Sequence, residues 1–178
     1  MMFGFGKKKK AEEAPAPAEA TPAGPLGEEL VAPATGTYKP LTTVADPVFA
    51  QGMMGEGFAV DPSEGTVVAP VTGEIALLQD SLHAFMIRSE DGAEVLVHVG
   101  IDTVELGGRG FTSTAEIGQK VTAGEPLITV DWAKIESEIP SKEVMVIVTN
   151  SKAFGVARDD ETQRPVTAGD KVANTVKK

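Results

Sequence analysis

The stretch that decides the fold is Leu82-His83-Ala84-Phe85-Met86-Ile87-Arg88-Ser89-Glu90-Asp91-Gly92-Ala93-Glu94-Val95-Leu96-Val97-His98-Val99-Gly100. Two runs rich in apolar and β-branched residues flank Asp91-Gly92, a strong hairpin turn signal. His83 and His98 are the only histidines in the chain and stand near the two open ends of this hairpin. A two-residue loop at Asp91-Gly92 would set His98 opposite Phe85, with His83 a diagonal neighbour at roughly 7–8 Å. A four-residue loop from Ser89 to Gly92 would set His83 directly opposite His98, at roughly 5 Å. Either even-length loop places both imidazoles on one sheet face. An odd-length loop would part them, because side chains alternate with period two. An imidazole pair on a strand face is the expectation.

Three chemistries use such a pair. A metal site, usually zinc, needs three or four ligands. The chain has no Cys and no third His, so a zinc held by His83 and His98 would need carboxylates, such as one from a partner. General acid–base catalysis needs one His as base. Nucleophilic catalysis needs one His to carry a covalent group while the other hydrogen-bonds it. Gly100 ends the strand just past His98, and Gly107, Gly108 and Gly110 follow. Glycines there suit a chain that turns tightly and lets another backbone approach.

His98-Val99-Gly100-Ile101-Asp102-Thr103-Val104-Glu105-Leu106 with Gly110-Phe111 resembles the active-site motif of the glucose-type enzyme IIA family. That family serves the bacterial phosphoenolpyruvate-dependent sugar phosphotransferase system. His83-Ala84-Phe85, the stretch from Asp46 to Gly57, and Val68-Ala69-Pro70-Val71-Thr72-Gly73 resemble it too. The likeness runs from about Leu30 to the C-terminus. It implies a phosphocarrier, hence a phosphotransferase, with no cofactor. The partner protein HPr would bring a phosphohistidine, His98 would accept the phosphoryl group through Nε2, and a Cys on the IIB domain of a membrane sugar permease would receive it. His83 would hydrogen-bond the phosphoryl oxygens. The resemblance names the Gly100 carbonyl as the group that orients His98, and Ser81 as the hydroxyl that orients His83. It further implies regulatory docking targets, and a contact surface made of Val48, Phe49, Met53, Met54, Leu96 and Val104 with Asp46 and Asp102 as an acidic edge. Phe49 and Val104 would be its exposed centre. Gln79, Leu82 and Val99 depart from the family pattern, on the docking side and not in the chemistry. A metal-binding or a biotin/lipoyl-type carrier domain of the same architecture is the alternative. The carrier reading is weakened because Gly73 to Gly118 contains no Lys to modify.

Composition bounds the rest. The chain has 178 residues and a formal net charge of −10. That acidity argues against nucleic acid and suits a basic protein partner. No apolar run is long enough to cross a membrane. No apolar segment follows the N-terminal lysines as a signal peptide requires. A cytoplasmic protein is the expectation. Residues 1–27 read as a disordered tail: Lys7 to Lys10, then a stretch dominated by Ala, Pro and Glu that cannot bury a core. Its four lysines supply at most a weak membrane contact, at about 1 kcal/mol each.

Residues 28–178 read as one all-β domain, a β-sandwich or barrel with little helix. Strands are expected at 66–71, 82–89, 93–99, 126–130 and 144–149. One short helix is expected from an Asp131 cap to Ile139, stopped by Pro140. Two motifs recur. Val31-Ala32-Pro33-Ala34-Thr35-Gly36 returns as Val68-Ala69-Pro70-Val71-Thr72-Gly73. Val121-Thr122-Ala123-Gly124-Glu125 returns as Val166-Thr167-Ala168-Gly169-Asp170. Their order along the chain demands two interlocked halves, expected to be duplicated half-barrels.

Overall fold

The computed structural model describes residues 26–178; the expected tail, apart from Leu26 and Gly27, lies outside the described residues. The fold is antiparallel β throughout. Its strands are β1 (Leu26–Val31), β2 (Gly36–Pro40), β3 (Glu56–Pro62), β4 (Thr66–Val68), β5 (Gly73–Leu78), β6 (Ala84–Ser89) and β7 (Glu94–Ile101). They continue with β8 (Phe111–Ser113), β9 (Lys120–Val121), β10 (Pro126–Val130), β11 (Ser141–Val148), β12 (Phe154–Arg158), β13 (Arg164–Val166) and β14 (Lys171–Lys177). An eight-stranded sheet runs β9-β5-β6-β7-β11-β3-β2-β13. Two three-stranded sheets, β4-β10-β8 and β12-β14-β1, complete the structure. The all-β expectation holds. β1 begins at Leu26, two residues ahead of the expected domain start, and Leu26 pairs with Val176.

The central strand β11 shows how the sequence builds two cores. Val144-Met145-Val146-Ile147-Val148 is apolar without a break, which a strand with both faces covered requires. Val144, Val146 and Val148 enter the main core beside Phe58, Val60, Val97 and Val99. Met145 and Ile147 point the other way, into a small cluster with Ala59, Ile101, Leu41, Val44 and Phe49. Period-two alternation therefore sorts one apolar run between two separate cores. The segment from Leu41 to Ala50 roofs the second one. It consists of a 3-10 turn, Leu41–Thr43, and one helical turn, α1 (Pro47–Ala50). Pro47 suits the first helical position, and the Asp46 carboxylate accepts the Val48 N–H at 2.8 Å, capping the turn.

The hairpin register differs from both expected forms. Ala84 stands opposite His98 and Arg88 opposite Glu94, and the loop is the odd, three-residue Glu90-Asp91-Gly92. The Ser89 N–H donates to the Ala93 carbonyl and the Gly92 N–H to the Ser89 carbonyl, while Gly92 has φ of 101°. A turn of this length with a left-handed third residue is a standard hairpin closure. The Asp91 carboxylate fixes it, accepting the Ser89 hydroxyl and the Thr175 hydroxyl from β14. The expected helix is also shorter. It covers Trp132–Ile135, continues as a 3-10 turn over Glu136–Glu138, and receives no side-chain cap from Asp131. Trp132 leaves helix propensity little to decide: it is buried, and its indole N–H donates to the Glu64 carbonyl.

The recurring motifs meet in nested pairs. The Val31 N–H donates to the Pro70 carbonyl, and the Val68 N–H returns the bond to the Pro33 carbonyl, both at 2.8 Å. The first motif takes its second partner from 166–170: Ala32 N–H to Asp170 carbonyl, and Gly169 N–H to Ala32 carbonyl. The second motif repeats these bonds with 121–125, Ala69 N–H to Glu125 carbonyl and Gly124 N–H to Ala69 carbonyl. Thr35 and Thr72 play one role twice, accepting the Ala168 and Ala123 N–H groups. Each early motif is thus bonded to the other and to one late motif, the first to the last and the second to the third.

Candidate functional site

His98 lies inside the ladder of the large sheet, on β7, opposite Ala84 on one side and Met145 on the other. It shares the face of Met145, so its ring emerges on the side roofed by Leu41 to Ala50. Phe49 packs against it, with ring centroids 5.1 Å apart. The strand ends at Ile101, three residues on. Gly100 has φ of +79°, and Asp102 has φ of 61°. This turn swings the Gly100 carbonyl back over the imidazole, where it stands 2.8 Å from His98 Nδ1. Only glycine fits there: a Cβ would meet Thr103 Cγ2 at 2.5 Å. Buried Thr103 holds the turn by donating its hydroxyl to the Val99 carbonyl at 2.6 Å.

His83 reaches the same place by another route. With the three-residue loop, the alternation rule would send it to the opposite face. But β6 starts only at Ala84, and Leu82 just before His83 has φ of 61°. His83 is thus outside the regular ladder, although its carbonyl still accepts the Val99 N–H at 2.7 Å. The two imidazoles lie edge-to-face with centroids 5.3 Å apart. Ser81 Oγ is 2.5 Å from His83 Nδ1. The pair exists as expected, although the register that suggested it does not.

The supports fix the chemistry of the rings. A carbonyl only accepts, so the hydrogen on His98 must sit on Nδ1, leaving the lone pair on Nε2. Ser81 is a hydroxyl and can accept from, or donate to, His83 Nδ1. Burial pushes His98 below the ordinary imidazole range, outweighing the Gly100 carbonyl and the Asp46 and Asp102 charges that favour its cation. Burial also pushes His83 down, helped by repulsion from His98. Both rings are therefore neutral at neutral pH. That is the state a nucleophilic imidazole needs.

The rest of the expected surface divides. Val48, Met53, Met54 and Val104 are exposed, 44 %, 71 %, 39 % and 52 % respectively. Phe49 and Leu96, expected to be exposed with them, are buried; Phe49 is held in the small core under the roof, and Leu96 lies between Met86 and Ile147 on the sheet. Asp46 is half-exposed and Asp102 exposed, and both charges act on His98. Asp46 thus serves the α1 cap and the electrostatics together. Among the described residues no cluster of three or more His, Cys, Asp or Glu could hold a metal, so a zinc on this pair would need an outside ligand. A cleft of about 360 Å³ near Gln51, Glu56, Arg158 and Glu161 includes neither imidazole. Thr103 and the Lys39–Glu143 ion pair went unmarked by sequence reasoning. Thr103 carries only the signal of sitting inside the His98 motif, and Lys39 and Glu143 carry none.

A neutral His pair in which Nε2 of His98 carries the free lone pair suits nucleophilic group transfer. The phosphoenolpyruvate-dependent sugar phosphotransferase system, EIIA 1 family model matches residues 28–154. The chain belongs to this family. It is a phosphocarrier component of that sugar transport system. It is 41% identical over 155 residues to the PTS system glucose-specific EIIA component of Halalkalibacterium halodurans, a match covering 87% of this chain and 84% of that relative. The glucose-specific EIICBA component of Streptococcus pneumoniae is 44% identical over 137 residues; the match covers 77% of this chain but 19% of that protein. The EIIA unit there is one part of a longer chain. Among solved structures, the glucose permease IIA from Mycoplasma capricolum superposes with a TM-score of 0.75 at 36% identity, covering 82% of this chain and 94% of that one. No helix among the described residues is long and apolar enough to cross a membrane.

Proposed function

We propose that this EIIA accepts a phosphoryl group from the phosphohistidine of HPr on His98 Nε2 and hands it to a cysteine of a IIB domain. In the first step the P–N bond of the donor breaks as the P–Nε2 bond forms, and the donor imidazole keeps the electron pair. In the second, a thiolate attacks phosphorus and His98 Nε2 leaves with its pair. The bonds exchanged in the first step are nearly equal, so the site's task is in-line positioning and stabilisation of the equatorial oxygens. His83, with its proton placed on Nε2 and Ser81 donating to Nδ1, supplies a hydrogen bond to those oxygens. Val48, Met53, Met54 and Val104 form the docking rim that excludes water, which would hydrolyse the phosphohistidine. Asp46 and Asp102 speed encounter with a basic partner.

Residues 28–178 act as one cytoplasmic unit in this reading. The named relatives make a glucose permease the first IIB to try. The observation that carries the proposal is the Gly100 carbonyl on His98 Nδ1, which leaves Nε2 free beside a second neutral imidazole. Incubation with phosphoenolpyruvate, enzyme I and HPr should add one acid-labile phosphoryl group by mass, removable by a IIB domain. No mass gain overturns the reading.

A further inference from the structure

We propose that Glu143, together with Lys39, is a positioning residue for the docking surface over His98: a buried carboxylate paired with a half-buried ammonium pins the far edge of the roof whose near edge, Phe49, lies on the imidazole. The proposal rests on the phosphocarrier reading of His98. The row of residues across the sheet sets the geometry. His98 on β7 stands opposite Met145 on β11, Met145 opposite Ala59 on β3, and Ala59 opposite Lys39 on β2. All four share one face, and Lys39 is three strand spacings, about 14 Å, from His98. Met145 and Ala59 between them are fully buried, because the segment Leu41 to Ala50 lies over them.

That roof is anchored at two edges. One is Phe49 on His98. The other is Glu143, buried to 5 % exposure. Its carboxylate accepts from Lys39 Nζ, from the Ala45 N–H at 3.0 Å, and from the Ser141 hydroxyl at 2.9 Å. Ala45 adjoins Asp46, which caps α1. Ser141 pairs with Ile101, next to Gly100. One carboxylate therefore touches both supports of the nucleophile: the segment carrying Phe49 and Asp46, and the strand edge beside the Gly100 turn. Burial alone would raise the Glu143 carboxyl, but the three hydrogen bonds outweigh it and hold the group ionised. An ion pair is an unneeded way to hold a roof in place if stability alone is at issue, since apolar replacements of buried pairs are often as stable. What the pair adds is direction. Its hydrogen bond to Ala45 sets where the segment enters the α1 turn, and the exposed rim residues Val48, Met53 and Met54 follow from that turn.

The test uses the full chain with Lys39→Met/Glu143→Leu, which keeps the space filled and removes the acceptor for Ala45, and with Glu143→Gln as a milder second variant. Three readings are taken: the Phe49–His98 ring contact by nuclear Overhauser effect in the unphosphorylated protein, KM and kcat for phospho-HPr, and the phosphorylation rate with phosphoramidate as a small donor. The expected result is a weakened ring contact and a KM raised at least about tenfold, with kcat and the phosphoramidate rate within about twofold. The milder variant should lie between wild type and the double variant. A folded variant that keeps the ring contact and KM overturns the proposal, as does one whose only change is a lower Tm. If the wild-type chain accepts nothing from phospho-HPr, the phosphocarrier reading falls; the ring contact then decides the brace by itself, its retention in the variants overturning it.

Discussion

The two imidazoles are 5.3 Å apart, yet they are held in opposite ways. His98 stands within a regular ladder, and its Nδ1 meets a backbone carbonyl. His83 stands just outside the ladder after a left-handed Leu82, and its Nδ1 meets a side-chain hydroxyl. A carbonyl permits one tautomer. A hydroxyl permits two, at the cost of a single bond rotation. The difference teaches how the supports bear on the roles proposed for the two rings: a fixed lone pair suits attack, and a choice of tautomer suits a neighbour whose charge changes.

That contrast breaks most completely at His98. His98→Ala should take up no acid-labile phosphate from phospho-HPr, whereas His83→Ala should still be phosphorylated; equal losses in the two variants would erase the distinction. Gly100→Ala comes next. The added Cβ meets Thr103 Cγ2, and the left-handed backbone disfavours a side chain. Displacing the carbonyl by about 1 Å should slow acceptance by about 100-fold with the domain still folded, measured as initial phosphorylation rate beside a thermal melt.

His83→Gln should be phosphorylated normally and pass its phosphoryl group to IIB about tenfold more slowly, about 1.4 kcal/mol. Unchanged onward transfer would remove its role. Ser81→Ala should be milder, a few-fold on the same step, because only one hydrogen bond of roughly 1 kcal/mol is lost. The smallest effect is in pH. Both rings have values depressed below 6.5, so the neutral form predominates at pH 6.5, and acceptance there should stay above about half of that at pH 7.5. The sign for stability is the reverse of a charge-paired His. The unfolded rings bind protons first, so stability falls as pH drops through 6.5 towards the folded values. Glu143, depressed from 4.5 by its hydrogen bonds, adds a second loss as pH falls below 4.5. A urea-melt series across pH should show both.

Much of this was legible in the chain. The apolar alternation at Ala93 to Val99 and the unbroken run at Val144 to Val148 marked central strands, and the doubled Val-Ala-Pro-x-Thr-Gly motifs marked segments that bond to each other. The His pair was legible too, but its register was not. Loop length depended on Asp91 reaching Thr175 on a distant strand, which no local signal carries. The same limit hid Phe49. Beside Pro47 and Val48 it looks like one more exposed apolar residue, and only the small second core beneath it, assembled from Ala59, Ile101, Met145 and Ile147, decides that it is buried. Lys39 and Glu143 are far apart in sequence and typical of surface positions, so the burial of Glu143 against Lys39 could not be foreseen.

The nested motif bonds impose an order on the birth of this protein. Ala32 waits for Asp170, and Leu26 waits for Val176. A nascent chain that has left the ribosome as far as the His98 hairpin can already bond Val31 to Pro70, but β1 still lacks β14, its neighbour in the sheet. Assembly is then dominated by pairings of large sequence separation, which are slow to close. Loss of β14 would therefore strip β1 of its sheet neighbour as well, and quality-control proteases would meet damage at both edges of that three-stranded sheet.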